Sequence, residues 1–243
     1  MEDNFHLSNK KALFFNMTQF YTQLGQDPFA FLPLTFHIEH GLGDPEFYKF
    51  KQYFAALEEE KKSKQKLLNA KKKEYVREKR KTEGYGSEDD IGSLGEEDEE
   101  YYMGDIEDIE EHFGISVPKN IWIMKPGENS NRGNGIFVCS TLREIVKEMN
   151  SSDKAEHTHI IQKYIEKPLL IHNRKFDIRV YGMLTSTFGT HKGYFYEDGY
   201  IRTSSVEFDL EDLGNRFIHL TNDAVQKKSD DYGKFENGNK VSY

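Results

Sequence analysis

The sequence predicts an α+β fold, on three observations. Helix caps and helix-spaced apolar residues crowd the N-terminal part, at residues 9–24 and 46–82. Period-two alternation and short turns crowd the part after His112. Between them lies an acidic low-complexity block, residues 84–111, that cannot bury enough apolar surface to offset chain entropy and is expected to be disordered. The expected organisation is an N-terminal part over residues 1–57, a charged helix with an acidic insertion over 58–112, and a strand-rich part over 113–243.

Taken in order, Leu13, Phe14, Phe15, Met17 and Phe20 with few breakers predict the first helix, ending at Gly25. FAFLPLTFHI at 29–38 reads as a packed turn and strand belonging to the core. His37 and His40 are read as carrying little metal signal. Asp44 as cap and Pro45 at the first helical position start a long helix. Phe47, Phe50, Phe54 and Leu57 give its first turns a face to bury. Lys and Arg then dominate residues 61–81, with scattered Leu67, Leu68, Tyr75 and Val76. A solvated helix projecting from the body is expected there, ahead of a nucleic-acid or microtubule contact.

After His112, residues 120–124 read as a strand and 136–139 as its hairpin partner. TLREIVKEMN reads as a helix, with Thr141 as N-cap and Glu144 completing a capping box. Further strands are expected at 159–165, 168–171 and 175–187, and a hairpin of 193–196 with 200–203 turning at 197–199. A helix begins near Asn222.

Composition narrows the function classes. The net charge is −9, yet residues 83–111 hold 14 acidic and no basic residues, and the remainder carries 33 basic against 28 acidic. The folded part is therefore mildly basic and suited to an acidic substrate. One cysteine, Cys139, excludes an internal disulfide framework and a cysteine-based zinc site, and reads as strand filler. No apolar run reaches the roughly 18 residues of a membrane span, and MEDNFHLSNKK lacks a signal-peptide core, so a soluble, reducing, intracellular setting is expected.

The chemistry concentrates in two stretches. IWIMKPGENSNRGNGIF places Lys125 at a strand end ahead of Gly127, Arg132, Gly133 and Gly135. Glycines that permit positive φ let backbone amides close on phosphate oxygens, with Lys125 adding a point charge and Arg132 a fork of donors. A plain hairpin with a glycine loop gives the same pattern without a ligand. In the long strand, Lys175, Asp177 and Arg179 alternate and so share one face, about 6.5–7 Å apart, while Phe176 and Ile178 pack the other. With Arg202 and the HLTN run at 219–222, several cations converge on one carboxylate, which suits a triphosphate and an acidic substrate better than a hydrolase triad. No GxSxG, HExxH or GxxxxGK[ST] pattern is present.

WIMKPGENSNRGNGI, QKYIEKPLLI, RKFDIRVYGML, GYIRTSS, HLTN and QKKSDDYGKFENGN, in this order, resemble the tubulin tyrosine ligase and ligase-like family. The resemblance implies an ATP-grasp fold and an ATP-dependent ligase that joins an amino acid to a tubulin tail. It implies that Lys125 contacts ATP phosphates and that Arg132 and Gly133 sit in a glycine-loop lid. Gln162, Lys163, Tyr164 and Ile165 would form the hinge that holds adenine, mainly by backbone groups. Lys175 would contact nucleotide, Asp177 would lie near nucleotide and acceptor, and Thr221 and Asn222 would close the pocket. Arg179 and Arg202 would face the acidic tail or the amino acid's carboxylate, and His219 is taken as structural.

The implied reaction has two steps: a tail carboxylate takes the γ-phosphoryl group of ATP, and the amino acid's amine then displaces phosphate to give an amide. Lysines, arginines and Mg²⁺ would offset the gathered negative charge. The family's principal Mg²⁺ ligands, an acid and an E-x-N pair, follow the HLTN run at a distance that lies beyond Tyr243. The expectation is thus an incomplete ATP-grasp unit, inactive alone, with Glu236 and Asn237 not the metal motif. Tyrosine, glutamate and glycine stay open as the added amino acid, YGKFENGN being more similar to the tyrosine ligase than to the glutamate-adding members. The alternatives are a non-catalytic tubulin-binding module and, last, an ATP-grasp ligase of small molecules. Implied partners are tubulin or microtubule tails and a free amino acid, with no nucleic acid and no membrane. The implied setting is the cytoplasmic cytoskeleton, with cilium or basal body as candidate locations.

Overall fold

A computed structural model describes residues 6, 9–83, 106–127, 132–151 and 158–242. In chain order its elements are α1 (Lys10–Gln23), β1 (Thr35–Ile38), α2 (Pro45–Glu83), α3 (Ile106–Phe113), β2 (Trp122–Pro126), β3 (Phe137–Cys139), α4 (Leu142–Met149), β4 (His159–Lys163), β5 (Leu170–Ile171), β6 (Arg174–Thr187), β7 (Thr190–Thr203), α5 (Arg216–His219), α6 (Asp223–Gln226) and β8 (Lys240–Ser242). The mixture of helices with antiparallel sheets is α+β, as expected. The chain divides into two compact units, residues 1–50 with 121–243, and residues 51–120.

The larger unit holds two four-stranded sheets, ordered β1-β4-β2-β3 and β5-β6-β7-β8, all pairs antiparallel. Local chemistry sets the helix starts. Asn9 Oδ1 accepts the Ala12 amide at 2.8 Å to open α1. The Asp44 carboxylate accepts the amides of Glu46, Glu39 and His40 at 2.7, 2.7 and 2.8 Å, so one side chain caps α2 and ties down the turn before it. The capping box of Thr141 and Glu144 opens α4. Phe50 then meets Trp122 edge-on, with ring centroids 4.9 Å apart, and Phe36 at 5.4 Å, which anchors the first turns of α2 on the first sheet.

The second sheet differs from expectation. Residues 197–199 do not turn: β7 runs unbroken, and the chain reverses at Phe188 and Gly189, with φ of 50° and 77°. The pairing jumps from Arg179↔Tyr200 to Tyr181↔Tyr196, so residues 197–199 bulge opposite Val180. The turn-like composition of Glu197-Asp198-Gly199 was accommodated by a bulge, because the strand pairs on both sides of it were kept. Ile178 is also not packed; it is 52% exposed, and the outer part of the hairpin is exposed on both faces.

A buried ion pair closes this sheet. Arg174, at the start of β6, donates through Nη1 to Glu236 Oε2 at 2.9 Å and pairs through Nη2 with the other oxygen. Thr203 Oγ1 donates to the same carboxylate at 3.1 Å. Arg174, followed by Thr203, holds the Glu236 carboxyl below its ordinary range.

In the smaller unit the basic half of α2 is not simply solvated. Leu68 and Tyr75 form a buried cluster with Ile109 of α3, flanked by Phe113, Ile115 and Val117. The expectation of disorder over 84–111 is corrected at residues 106–111, which belong to α3, where Ile109 and Phe113 give the acidic helix an apolar face; residues 84–105 lie outside the described residues. Lys71 lies 5.1 Å from the Phe113 ring centroid, and His112 Nε2 lies 2.7 Å from Glu78.

Two outcomes are expected. Ile109→Ala should cost about 2–5 kcal/mol in that unit and abolish hydrogen-exchange protection across α3. Glu236→Gln should cost about 3 kcal/mol by leaving Arg174 buried and uncompensated. Because the Glu236 pKa is depressed on folding, its contribution is present above the ordinary carboxylate value and lost as pH falls through the lowered one, so acid melts should separate wild type from variant least at the lowest pH.

Candidate active site

The site draws on both sheets of the larger unit: Lys125 lies on β2 of the first, and Lys175, Asp177 and Arg202 lie on β6 and β7 of the second. From the first sheet, β2 presents Lys125, whose Nζ donates to Gln162 Oε1 on β4 at 2.7 Å. Gln162 in turn donates through Nε2 to Thr35 Oγ1 on β1 at 2.8 Å. From the second sheet, Lys175 Nζ donates to Tyr164 Oη at 2.9 Å and to the His219 carbonyl at 3.1 Å. Burial, with the Lys10 charge second, lowers the Lys125 pKa to about 8. Burial and then the Lys125 charge lower Lys175 to about 8, against the opposing pull of Asp177.

Both ammonium groups thus rest on neutral acceptors. Asp177, the carboxylate beside them, is engaged: Arg202 reaches Oδ1 through Nε and Nη2, each at 2.8 Å, and Thr221 Oγ1 donates to Oδ2. Two partly buried like charges resting on neutral acceptors favour an incoming anion, which would raise their pKa values and offset their repulsion. The donor set fits a polyphosphate.

The glycine loop is held at both ends, residues 128–131 lying outside the described residues. The Gly127 amide donates to the Thr158 carbonyl at 2.8 Å. Gly133, buried with φ of 80°, lies against α6: a Cβ there would meet Val225 Cγ2 at 2.9 Å and Asn222 Oδ1 at 3.1 Å. Arg216 Nη2 donates to its carbonyl at 2.6 Å. The loop end therefore docks on the segment carrying Thr221 and Asn222.

Other expected residues stand apart. Arg132 is exposed, with φ of 56°. Arg179 is exposed and stacks on Tyr181, its guanidinium carbon 5.3 Å from the ring centroid. The Lys163 ammonium pairs with Glu166 and lies 5.8 Å from the Trp122 ring centroid. The amides of Lys163 and Tyr164 are committed to the carbonyls of Leu34 and Ile121 at 2.8 and 3.0 Å, and the Ile165 side chain is exposed. Cys139 is buried, its thiol pushed up to about 12 by burial, as suits strand filler.

Sequence reasoning missed two contributors. Lys10, at the first turn of α1, acts on Lys125, yet no spacing rule connects those positions. The Tyr164 side chain, expected only to line a hinge, binds Lys175 directly. Among the described residues no group of three or more His, Cys, Asp or Glu side chains is placed to hold a metal ion, and no helix is long and apolar enough to cross a membrane.

Tubulin glycylase 3D of Tetrahymena thermophila is 36% identical over 187 residues, 72% of this chain and 18% of that protein. Tubulin glycylase 3B of Drosophila melanogaster is 43% identical over 127 residues, 52% of this chain and 16% of that protein. Human tubulin monoglycylase TTLL3 is 39% identical over 130 residues, 50% of this chain and 16% of that protein. The chain thus spans less than a fifth of the length of these relatives. The model of the tubulin-tyrosine ligase family matches residues 49–242, which takes in both lysines, Asp177, Arg202 and the HLTN segment, and the chain belongs to that family.

Proposed function

We propose that this chain carries the nucleotide-binding part of an ATP-dependent ligase that adds glycine to tubulin. The observation that carries the reading is the pair of partly buried lysines, one on each sheet, that rest on neutral acceptors, with the Lys125 charge acting on Lys175. Two antiparallel sheets with cations at their junction support an ATP-grasp site. Lys125 and Lys175 would hold the phosphates, the loop end at Gly133 would cover them, and Gln162 would keep Lys125 oriented. Arg202, braced by Asp177, would bind a carboxylate of the tail or of the amino acid. ATP supplies the phosphoryl group that activates the tail carboxylate for attack by the amine. Among the described residues the acidic side chains offer no ligand cluster for Mg²⁺, and Asp177 is taken up by Arg202 and Thr221. The glycylase names of the relatives favour glycine over tyrosine and glutamate.

Nucleotide affinity should be full at pH values below about 8 and weaken as pH rises through it, since the free lysines lose the charge that the phosphates attract. Calorimetric titration with ATP across the alkaline range checks this; affinity that does not change there contradicts it. Incubating the full-length protein with microtubules, ATP and labelled glycine, tyrosine or glutamate tests the reaction. Glycine incorporation, reduced about 100-fold or more in Lys175→Met, is expected; preferential incorporation of tyrosine or glutamate overturns the assignment.

A further inference from the structure

A hydrogen-bonded chain runs behind Lys175, and its proton positions follow from its two ends. An ammonium only donates, so the Tyr164 oxygen accepts from Lys175 at 2.9 Å and turns its own proton elsewhere. His219 Nδ1 lies 2.9 Å from that oxygen, and His219 Nε2 lies 3.1 Å from the backbone carbonyl of Asp212. A carbonyl only accepts, so Nε2 carries the imidazole proton, and the bare Nδ1 takes the hydrogen bond from Tyr164. Burial lowers the His219 pKa and raises that of Tyr164, which keeps both groups neutral as this arrangement requires. Ring packing holds them: His219 meets Tyr164 edge-on at 5.5 Å, and Phe208 stacks on Tyr164 at 6.5 Å, centroid to centroid.

We propose that Tyr164 and His219 are positioning residues: the chain from the Asp212 carbonyl through His219 and Tyr164 turns a phenol lone pair onto Lys175, holding its amine protonated and aimed at the nucleotide phosphates. The aim rests on the nucleotide reading above; the hydrogen-bond relay does not. The charged groups acting on Lys175 are Lys125, from β2, and Asp177, on its own strand. Lys10 acts on Lys125, and Asp209 and Asp212 act on His219. Lys125 opposes the ammonium, and Asp177 is already shared with Arg202 and Thr221, so the acceptors left to Lys175 are the phenol oxygen and the His219 carbonyl, of which the phenol is the side chain that a substitution can remove. An imidazolium would donate from both nitrogens and turn the Tyr164 proton away, so protonating His219 disrupts the relay.

Competitive acylation with acetic anhydride across a pH series, read by peptide mass spectrometry, gives the Lys175 titration midpoint with no nucleotide present. Wild type should titrate near 8. Tyr164→Phe should move the midpoint to lower pH and weaken ATP binding at neutral pH about tenfold or more, the worth of a hydrogen bond to a charged group. Phe208→Leu, which removes packing but no polar contact, should leave the midpoint in place. His219→Phe should reproduce the Tyr164→Phe shift, and His219→Asn, whose side-chain oxygen can stand in for Nδ1, should restore it. A folded Tyr164→Phe with an unmoved midpoint overturns the relay; if that variant does not fold, an unmoved midpoint in His219→Phe does so. Lys175→Met with undiminished ATP affinity overturns the nucleotide reading instead, while the acylation midpoint still decides the relay.

Discussion

The constraint on which the site depends is the burial of two lysine ammonium groups beside each other. Each comes from a different sheet, and each is stabilised by a neutral oxygen, Gln162 for Lys125 and Tyr164 for Lys175. A carboxylate in contact with either would satisfy it and leave no pull on an incoming anion. Asp177 is instead drawn to Arg202 and Thr221. The pair is therefore held in a state of raised energy, which a bound polyphosphate would relieve. Strand register serves this end: Ile123↔Gln162 pairing places the glutamine within reach of Lys125, two residues on along the same face of β2.

Strand β6 divides structural and chemical duties by parity. Arg174 and Lys175 are neighbours in sequence but point to opposite faces. Arg174 turns into the protein and closes the sheet through Glu236 and Thr203, whereas Lys175 and then Asp177 turn toward the site. The ion pair behind the strand thus fixes the backbone from which the site lysine projects. The glycine loop is docked on the same framework, through Arg216 to the Gly133 carbonyl, which links the loop to the segment bearing Thr221. A similar economy appears in the smaller unit, where an acidic helix covers part of a basic one while Ile109 supplies the apolar contact.

Much of the local structure was legible because its causes are local. The caps at Asn9, Asp44 and Thr141, the alternation along β6, and the pairing of Lys125 with a glycine loop each follow from side-chain chemistry within a few residues. The order of the motifs along the chain likewise pointed to the family. The bulge at 197–199, the exposure of Ile178 and the packing of α3 were not legible, since each turns on which partner lies across the strand or beside the helix.

By itself the sequence determined which residues carry charge, which segments form helix and strand, and which face of β6 holds Lys175 and Asp177. Only the tertiary structure decided that Arg132 and Arg179 stand in solvent while Tyr164 and Lys10 act on the buried lysines. The reason is physical: charge and backbone preference belong to single residues, but burial and hydrogen-bond partnership arise from groups brought together across more than a hundred positions, as Thr35 is with Gln162 and Lys10 with Lys125.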